Sequence, residues 1–168
     1  MKVLFASSEI HPLIKTGGLA DVAGALPVAL RAKNIDVKLI MPAYSGILEK
    51  LPPVQSSRNL GNPFSVGDLI LLETHLPDSD TPIYLVQCQS LFELEGGPYL
   101  DSHGNDFADN DIRFAAFSWV CAMITQYGHL IDWQPDILHL NDWQTGFAAA
   151  YLAAWRLEHP PVVTTVHN

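Results

Sequence analysis

The chain has 168 residues, 48% of them apolar and only 16% charged. That length suits one domain of ordinary size with a substantial core, which excludes a disordered or solvating chain. Lys and Arg number 9 against 18 Asp and Glu, a formal charge of −9, and this argues against nonspecific nucleic-acid binding and against docking on anionic lipid.

In chain order, the N-terminus MKVLFASSEI carries too short an apolar run for a signal peptide. Residues 2–7 read instead as a first buried strand. Leu19, Val22, Ala23, Leu26 and Leu30 then follow a helical period, and Pro27 within it predicts a kink or local break. A second strand is predicted at 37–41. The stretch 54–76 holds two strand-like pieces around Asn59-Leu60-Gly61-Asn62-Pro63, which predicts a hairpin or excursion at a sheet edge. A third buried strand is predicted at 83–86. Residues 93–111 hold Glu93, Glu95, Asp101, Asp106, Asp109 and Asp111 with no Lys or Arg. The calcium-loop pattern is absent there, so a solvated, mobile flap is expected, with Tyr99 placed to close over a ligand.

The segment 111–127 is apolar nearly all round, which predicts a deeply buried helix. A strand is predicted at 137–140, then an Ala-rich helix over 145–157 with Thr145 as its N-cap, then a strand at 162–166. The longest apolar stretch, 147–155, falls far short of the roughly 20 residues of a bilayer span. Cys88 and Cys121 lie far apart in apolar segments and read as reduced core thiols, not as a disulfide or zinc site. The strand runs are continuous, not alternating, as parallel strands covered on both faces should be. The order of elements predicts an α/β fold, a Rossmann-like, doubly wound and mostly parallel sheet. The chain ends in VVTTVHN, within a strand-like run, where a domain is expected to continue.

Ligands of open parallel α/β sheets bind beyond the carboxyl ends of the strands. Ser7-Ser8-Glu9 and then Lys15-Thr16-Gly17-Gly18-Leu19-Ala20-Asp21 follow the first strand; Asn141-Asp142-Trp143-Gln144 follows the 137–140 strand; His167-Asn168 follows the last. Two glycines opening a helix let backbone N–H groups approach a ligand, and the helix N-terminus favours an anionic group. Lys15 adds a full charge. The competing reading is a tight turn with a solvated lysine, and spacing alone does not separate the two. Neither G-x-G-x-x-G nor G-x-x-x-x-G-K-[ST] is present, which argues against an NAD enzyme and a P-loop NTPase. Asp21 reads either as a dipole-complementing acid or as an acceptor for sugar hydroxyls, a part open also to Asn141 and Asp142. Trp143 reads as a sugar-stacking face or as plain core. His139, within a strand, reads as a core histidine.

The opening MKVLFASSEIHPLIKTGGLADVAGALPVAL resembles the N-terminus of bacterial glycogen synthases and plant starch synthases, and K-T-G-G-L-A-D-V is highly specific to them. The resemblance continues through GGPYLDSHGNDFADNDIRFAAFSW, PDILHLNDWQTGFAAAYL and VVTTVHN. It is weakest over about 45–80. It implies the N-terminal half of a two-domain GT-B glycosyltransferase, residues 1–168 being an incomplete N-terminal domain. It also implies transfer of glucose from ADP-glucose to the non-reducing end of an α-1,4-glucan with retention, without metal or cofactor, in the cytoplasm or a plastid. Carried over by motif, Lys15 resembles the ADP-glucose-binding lysine. Gly17 and Gly18 place N–H groups near the diphosphate or glucose, and Asp21, Tyr99, Asn141, Asp142 and Asn168 complete the implied substrate-binding set. Bacterial members often carry His-Asp-Trp-His where this chain has Asn141-Asp142-Trp143-Gln144; the Asn form is familiar in the plant-type enzymes, whereas Gln144 is less usual.

The family draws its principal catalytic arginine, lysine and glutamate from a second domain. The 168 residues are therefore expected to be inactive alone, with that domain as their partner. The alternatives are a non-catalytic glucan- or nucleotide-binding module derived from this domain, and another α/β nucleotide binder such as a dehydrogenase.

Overall fold

The computed structural model of the protein describes residues 1–167. Its seven strands are β1 (Lys2–Ala6), β2 (Asp36–Pro42), β3 (Ser56–Asn59), β4 (Ile70–His75), β5 (Pro82–Gln87), β6 (Ile137–Asn141) and β7 (Val162–Thr165). The four α-helices are α1 (Gly18–Arg31), α2 (Gln89–Phe92), α3 (Asn110–Gln126) and α4 (Phe147–Trp155). All strands form one sheet in the order β3-β4-β5-β2-β1-β6-β7. The five apolar runs picked out by continuous hydrophobicity are its parallel strands β5, β2, β1, β6 and β7.

The expected edge excursion is the antiparallel pair β3–β4. It pairs Ser56 with Glu73 through to Asn59 with Ile70, and β4 in turn runs antiparallel to β5. β1, β2 and β5 are buried along most of their length because helices cover them. β3 is exposed at every position, as befits a polar edge strand.

Neither a break at Pro27 nor a cap at Thr145 is found. α1 runs unbroken from Gly18 to Arg31 through a buried Pro27. Proline removes one N–H and strains one turn; Leu26 before it and Leu30 after it both pack against the core and anchor the helix on either side. Thr145 does not cap α4, whose N-cap is Gly146. The Thr145 hydroxyl instead donates back to the Asn141 and Asp142 carbonyls, at 3.1 and 2.9 Å, within a 3₁₀ turn over Trp143–Thr145.

α3 is buried over most of its length, as its all-round apolarity predicts, and it packs on α4. Both cysteines are free and buried, and burial pushes the Cys121 thiol well up, so it stays an inert core group. His139 is half-buried within β6 and lies beside the core, not in it. Its Nε2 lies 2.8 Å from the Thr165 hydroxyl, its ring stands edge-on to Phe5, and burial first, then His167, hold it below the ordinary histidine range.

Candidate functional site

β1 sits between β2 and β6. From it the chain builds the sheet outward through β2 and β5 in one direction, then through β6 and β7 in the other. The carboxyl ends of β1 and β6 therefore flank a topological switch point, where open α/β sheets bind ligands. Lys15, Gly17, Gly18 and Asp21 lie in the loop and helix after β1; Asn141 and Asp142 close β6. The two sequence-predicted groups thus reach the same sheet edge.

On the β1 side, Gly17 is the N-cap of α1 and has no side chain with which to cap it. Its φ of −150° is extended backbone that any residue adopts. A Cβ added at Gly17 or Gly18 would meet nothing within 4 Å. Neither the backbone nor the packing of this chain demands glycine at either position. The emptiness in front of the helix N-terminus is the space a closely approaching ligand would fill. Lys15 is exposed, and its ammonium makes a two-pronged pair with Asp21, 2.8 Å to Oδ1 and 2.7 Å to Oδ2. The cation expected to meet an anionic ligand is therefore already beside a carboxylate.

On the β6 side, Asn141 is 1% exposed and acts as a strut. Its Nδ2 donates to the Ala6 carbonyl at 3.0 Å, joining the ends of β6 and β1. Its Oδ1 lies 3.5 Å from His167 Nε2. Asp142 adopts a left-handed backbone, φ 62°, and its carboxylate accepts from the Trp143 N–H at 2.9 Å. Trp143 is not core. It is 55% exposed, with its ring edge-on to Phe114 at 5.1 Å and tilted to Tyr99 at 6.5 Å. The Gln144 side chain is buried with no partner for its Oε1. Asn168 lies outside the described residues.

Tyr99 bridges the two sides, although its hydroxyl does not point out over a ligand. It donates to Glu9 Oε1 at 2.6 Å and lies 2.8 Å from the Ser8 hydroxyl. Burial first, then the Glu9 hydrogen bond, push its ionisation far above the ordinary tyrosine range, so it is a neutral anchor. Glu9 is the residue that sequence reasoning passed over. It is 2% exposed and also accepts from the Thr16 N–H at 2.5 Å and the Thr16 hydroxyl at 2.7 Å. Its place directly after β1 was the available signal; its partners lie up to 90 positions away in sequence.

The acidic loop is solvated as expected, most of its residues between Glu93 and Asp109 being exposed, and it carries fixed contacts of its own. The fully buried Arg113 fastens the loop to its neighbour α2: its Nη1 donates to the loop carbonyl of Pro98 at 2.9 Å and its Nε to the Leu91 carbonyl of α2 at 2.6 Å. Asp101 folds the tip by accepting from the N–H groups of His103 and Asn105, at 2.8 and 2.9 Å. Two isolated bridges, Gly96 to Asp101 and Leu100 to Asp106, complete the structure. Gly96 is required where it stands: its φ is +126°, and a Cβ would collide with the Leu100 carbonyl.

Known proteins resemble this chain in sequence and fold. A family model for the starch synthase catalytic domain matches residues 2–168. A glycogen synthase of Marinomonas sp. (strain MWYL1) is 73% identical over 168 residues, all of this chain and 35% of that protein. A glycogen synthase of Rhodospirillum rubrum is 48% identical over the same length, again 35% of the relative. The chain thus spans about a third of the length of the curated relatives it matches. A solved structure, the catalytic domain of starch synthase IV from Arabidopsis thaliana bound to ADP and acarbose, superposes with a TM-score of 0.70. It covers 99% of this chain and 34% of that one at 24% identity, a likeness of fold.

Proposed function

Because the chain belongs to the starch synthase catalytic domain family, we propose that it forms one wall of a cleft in which glucose passes from ADP-glucose to the non-reducing end of an α-1,4-glucan, with retention and without a metal. The observation that carries this reading is the Lys15 loop at the switch point. A cation and an uncapped helix N-terminus, with open space before two glycines, face the edge where such sheets bind nucleotides. In this role Lys15 leaves Asp21 for the diphosphate of the donor. Asp21 and Asp142 are then acceptors for sugar hydroxyls, and the exposed Trp143 ring is a surface on which a sugar face packs. The relatives' names support the glycogen synthase assignment, and the ADP in the Arabidopsis structure supports an adenine nucleotide as donor.

One wall is not a catalyst. Glycosyl transfer with retention requires positive groups on the departing diphosphate and stabilisation of an oxocarbenium-like centre. Lys15 supplies one such charge. The remaining groups belong, on this reading, to the length of the relatives that these residues do not span, so the isolated 168-residue chain is inactive. Replacing Lys15 in the full-length gene product is the test. Lys15→Ala raises KM for ADP-glucose with little change in stability, because an exposed ion pair contributes only about 0–1 kcal/mol. An unchanged KM refutes the Lys15 role. EDTA-treated enzyme retains its rate if the reaction needs no metal.

A further inference from the structure

The Lys15 loop is held in place by a carboxylate that has no cation against it. Glu9 is buried, and none of the ion pairs among the described residues includes it. Burying a charge is costly unless its hydrogen-bonding capacity is filled. Three donors fill it here: the Thr16 N–H on Oε2, and the Thr16 and Tyr99 hydroxyls together on Oε1. Glu9 itself is fixed to the end of β1, its carbonyl accepting from the Ser7 hydroxyl at 2.7 Å.

Thr16 stands between Lys15 and Gly17, so gripping both its N–H and its hydroxyl sets the direction of the Lys15 side chain and of the helix N-terminus. The same carboxylate grips Tyr99. The Tyr99 carbonyl is in turn tied to Asn110 at 3.0 Å, and the adjacent Pro98 carbonyl to Arg113.

We infer that Glu9 is a positioning residue, a buried clasp that locks the Lys15-Thr16-Gly17-Gly18 loop to the Tyr99 loop and so holds the anion-binding groups in their binding geometry. The inference deepens the donor-site reading above and rests on it for its kinetic consequence. It does not act through charge. A glutamine in this place can turn its oxygen to the Thr16 N–H and its NH2 to the two hydroxyls, each of which can accept as well as donate. Glutamine therefore preserves the clasp and alanine abolishes it.

The test uses the full-length gene product and two readouts. Hydrogen exchange reads the clasp itself. The Thr16 amide is protected in the wild type and in Glu9→Gln, and exchanges about tenfold faster, on the order of one lost hydrogen bond, in Glu9→Ala. Steady-state kinetics read its consequence: KM for ADP-glucose rises about tenfold or more in Glu9→Ala and stays within about threefold of wild type in Glu9→Gln. Thr16→Val, at an exposed position and safe for folding, removes one of the three donors and gives an intermediate rise even if Glu9→Ala does not fold. Equal Thr16 exchange in wild type and Glu9→Ala overturns the clasp. So does an unchanged KM in both Glu9→Ala and Thr16→Val, or a Glu9→Gln enzyme as impaired as Glu9→Ala. A wild-type enzyme that transfers no glucose from ADP-glucose refutes the proposed function instead, and leaves the exchange result to decide the clasp.

Discussion

Arg113→Lys tests whether the acidic loop is a built part of the fold. Arg113 is fully buried at the start of α3, and no carboxylate pairs with it among the described ion pairs. Three hydrogen bonds hold its Nε and Nη1: 2.6 Å to Leu91 O, 2.9 Å to Pro98 O and 2.7 Å to Asn110 Oδ1. Its guanidinium also lies over Phe107, 4.4 Å from the ring centroid. Burial pulls its ionisation downward, and Tyr44 and Asp109 oppose that pull; the hydrogen bonds replace part of the hydration that burial removes.

A lysine reaches one of these carbonyls at best and leaves the others buried without a donor. Each hydrogen bond from a charged group contributes about 1.5–3 kcal/mol, so losing two costs about 4 kcal/mol. For a domain of this size about 1 kcal/mol moves Tm by roughly 2–4 °C, giving a fall of about 10 °C. Thermal unfolding followed by circular dichroism measures it, and limited proteolysis of the variant should cut first within residues 93–109. A loss below about 1 kcal/mol, with the loop as protease-resistant as before, refutes the argument.

Two further outcomes follow from the geometry. Gly18→Ala places a Cβ in open space, so Tm should hold or rise slightly, by the equivalent of about 1 kcal/mol at most; at the Gly17 N-cap alanine is the poorer residue, so Gly17→Ala should cost up to about 1 kcal/mol; in both, ADP affinity measured by calorimetry on the full-length gene product should fall, and unchanged affinity would mean that no ligand approaches there. Burial raises the Glu73 carboxyl, but the Lys38 ammonium at 3.0 Å, with the Ser56 and Tyr84 hydroxyls, outweighs it and holds the group below its ordinary value of 4.5. A depressed folded-state value means this stabilisation is complete above the unfolded pKa and is lost as pH falls through the folded one; a Glu73→Gln series of Tm against pH should therefore be flatter below pH 4.5 than the wild type, and parallel curves would contradict it.

The parallel core was legible because both faces of those strands are covered, which writes continuous apolar runs into the sequence. β3, Ser56–Asn59, is polar and exposed throughout, so hydropathy could suggest only the edge excursion that its pairing partner β4 makes real. Pro27 misled because a local rule about one missing N–H takes no account of the core into which α1 packs. The acidic loop's solvation was legible from its composition, but its anchor was not, because the residue that fastens it, Arg113, lies in a helix read as apolar.

The Lys15 loop and the Asn141-Asp142-Trp143 turn were both legible as strand ends, since a parallel sheet collects its polar groups there. That Asn141 is a strut and Trp143 an exposed ring depends on side-chain direction, which spacing does not encode. Glu9 was in plain view after β1, yet its meaning comes from Thr16 and Tyr99 arriving from separate loops.

The most direct test of the account is glucose transfer by the full-length gene product, with labelled ADP-glucose and UDP-glucose offered in turn and glycogen as acceptor. Incorporation from ADP-glucose that collapses in Lys15→Ala, with the 168-residue chain alone inactive, is the predicted result. No incorporation, or incorporation from ADP-glucose that is indifferent to Lys15, would contradict it.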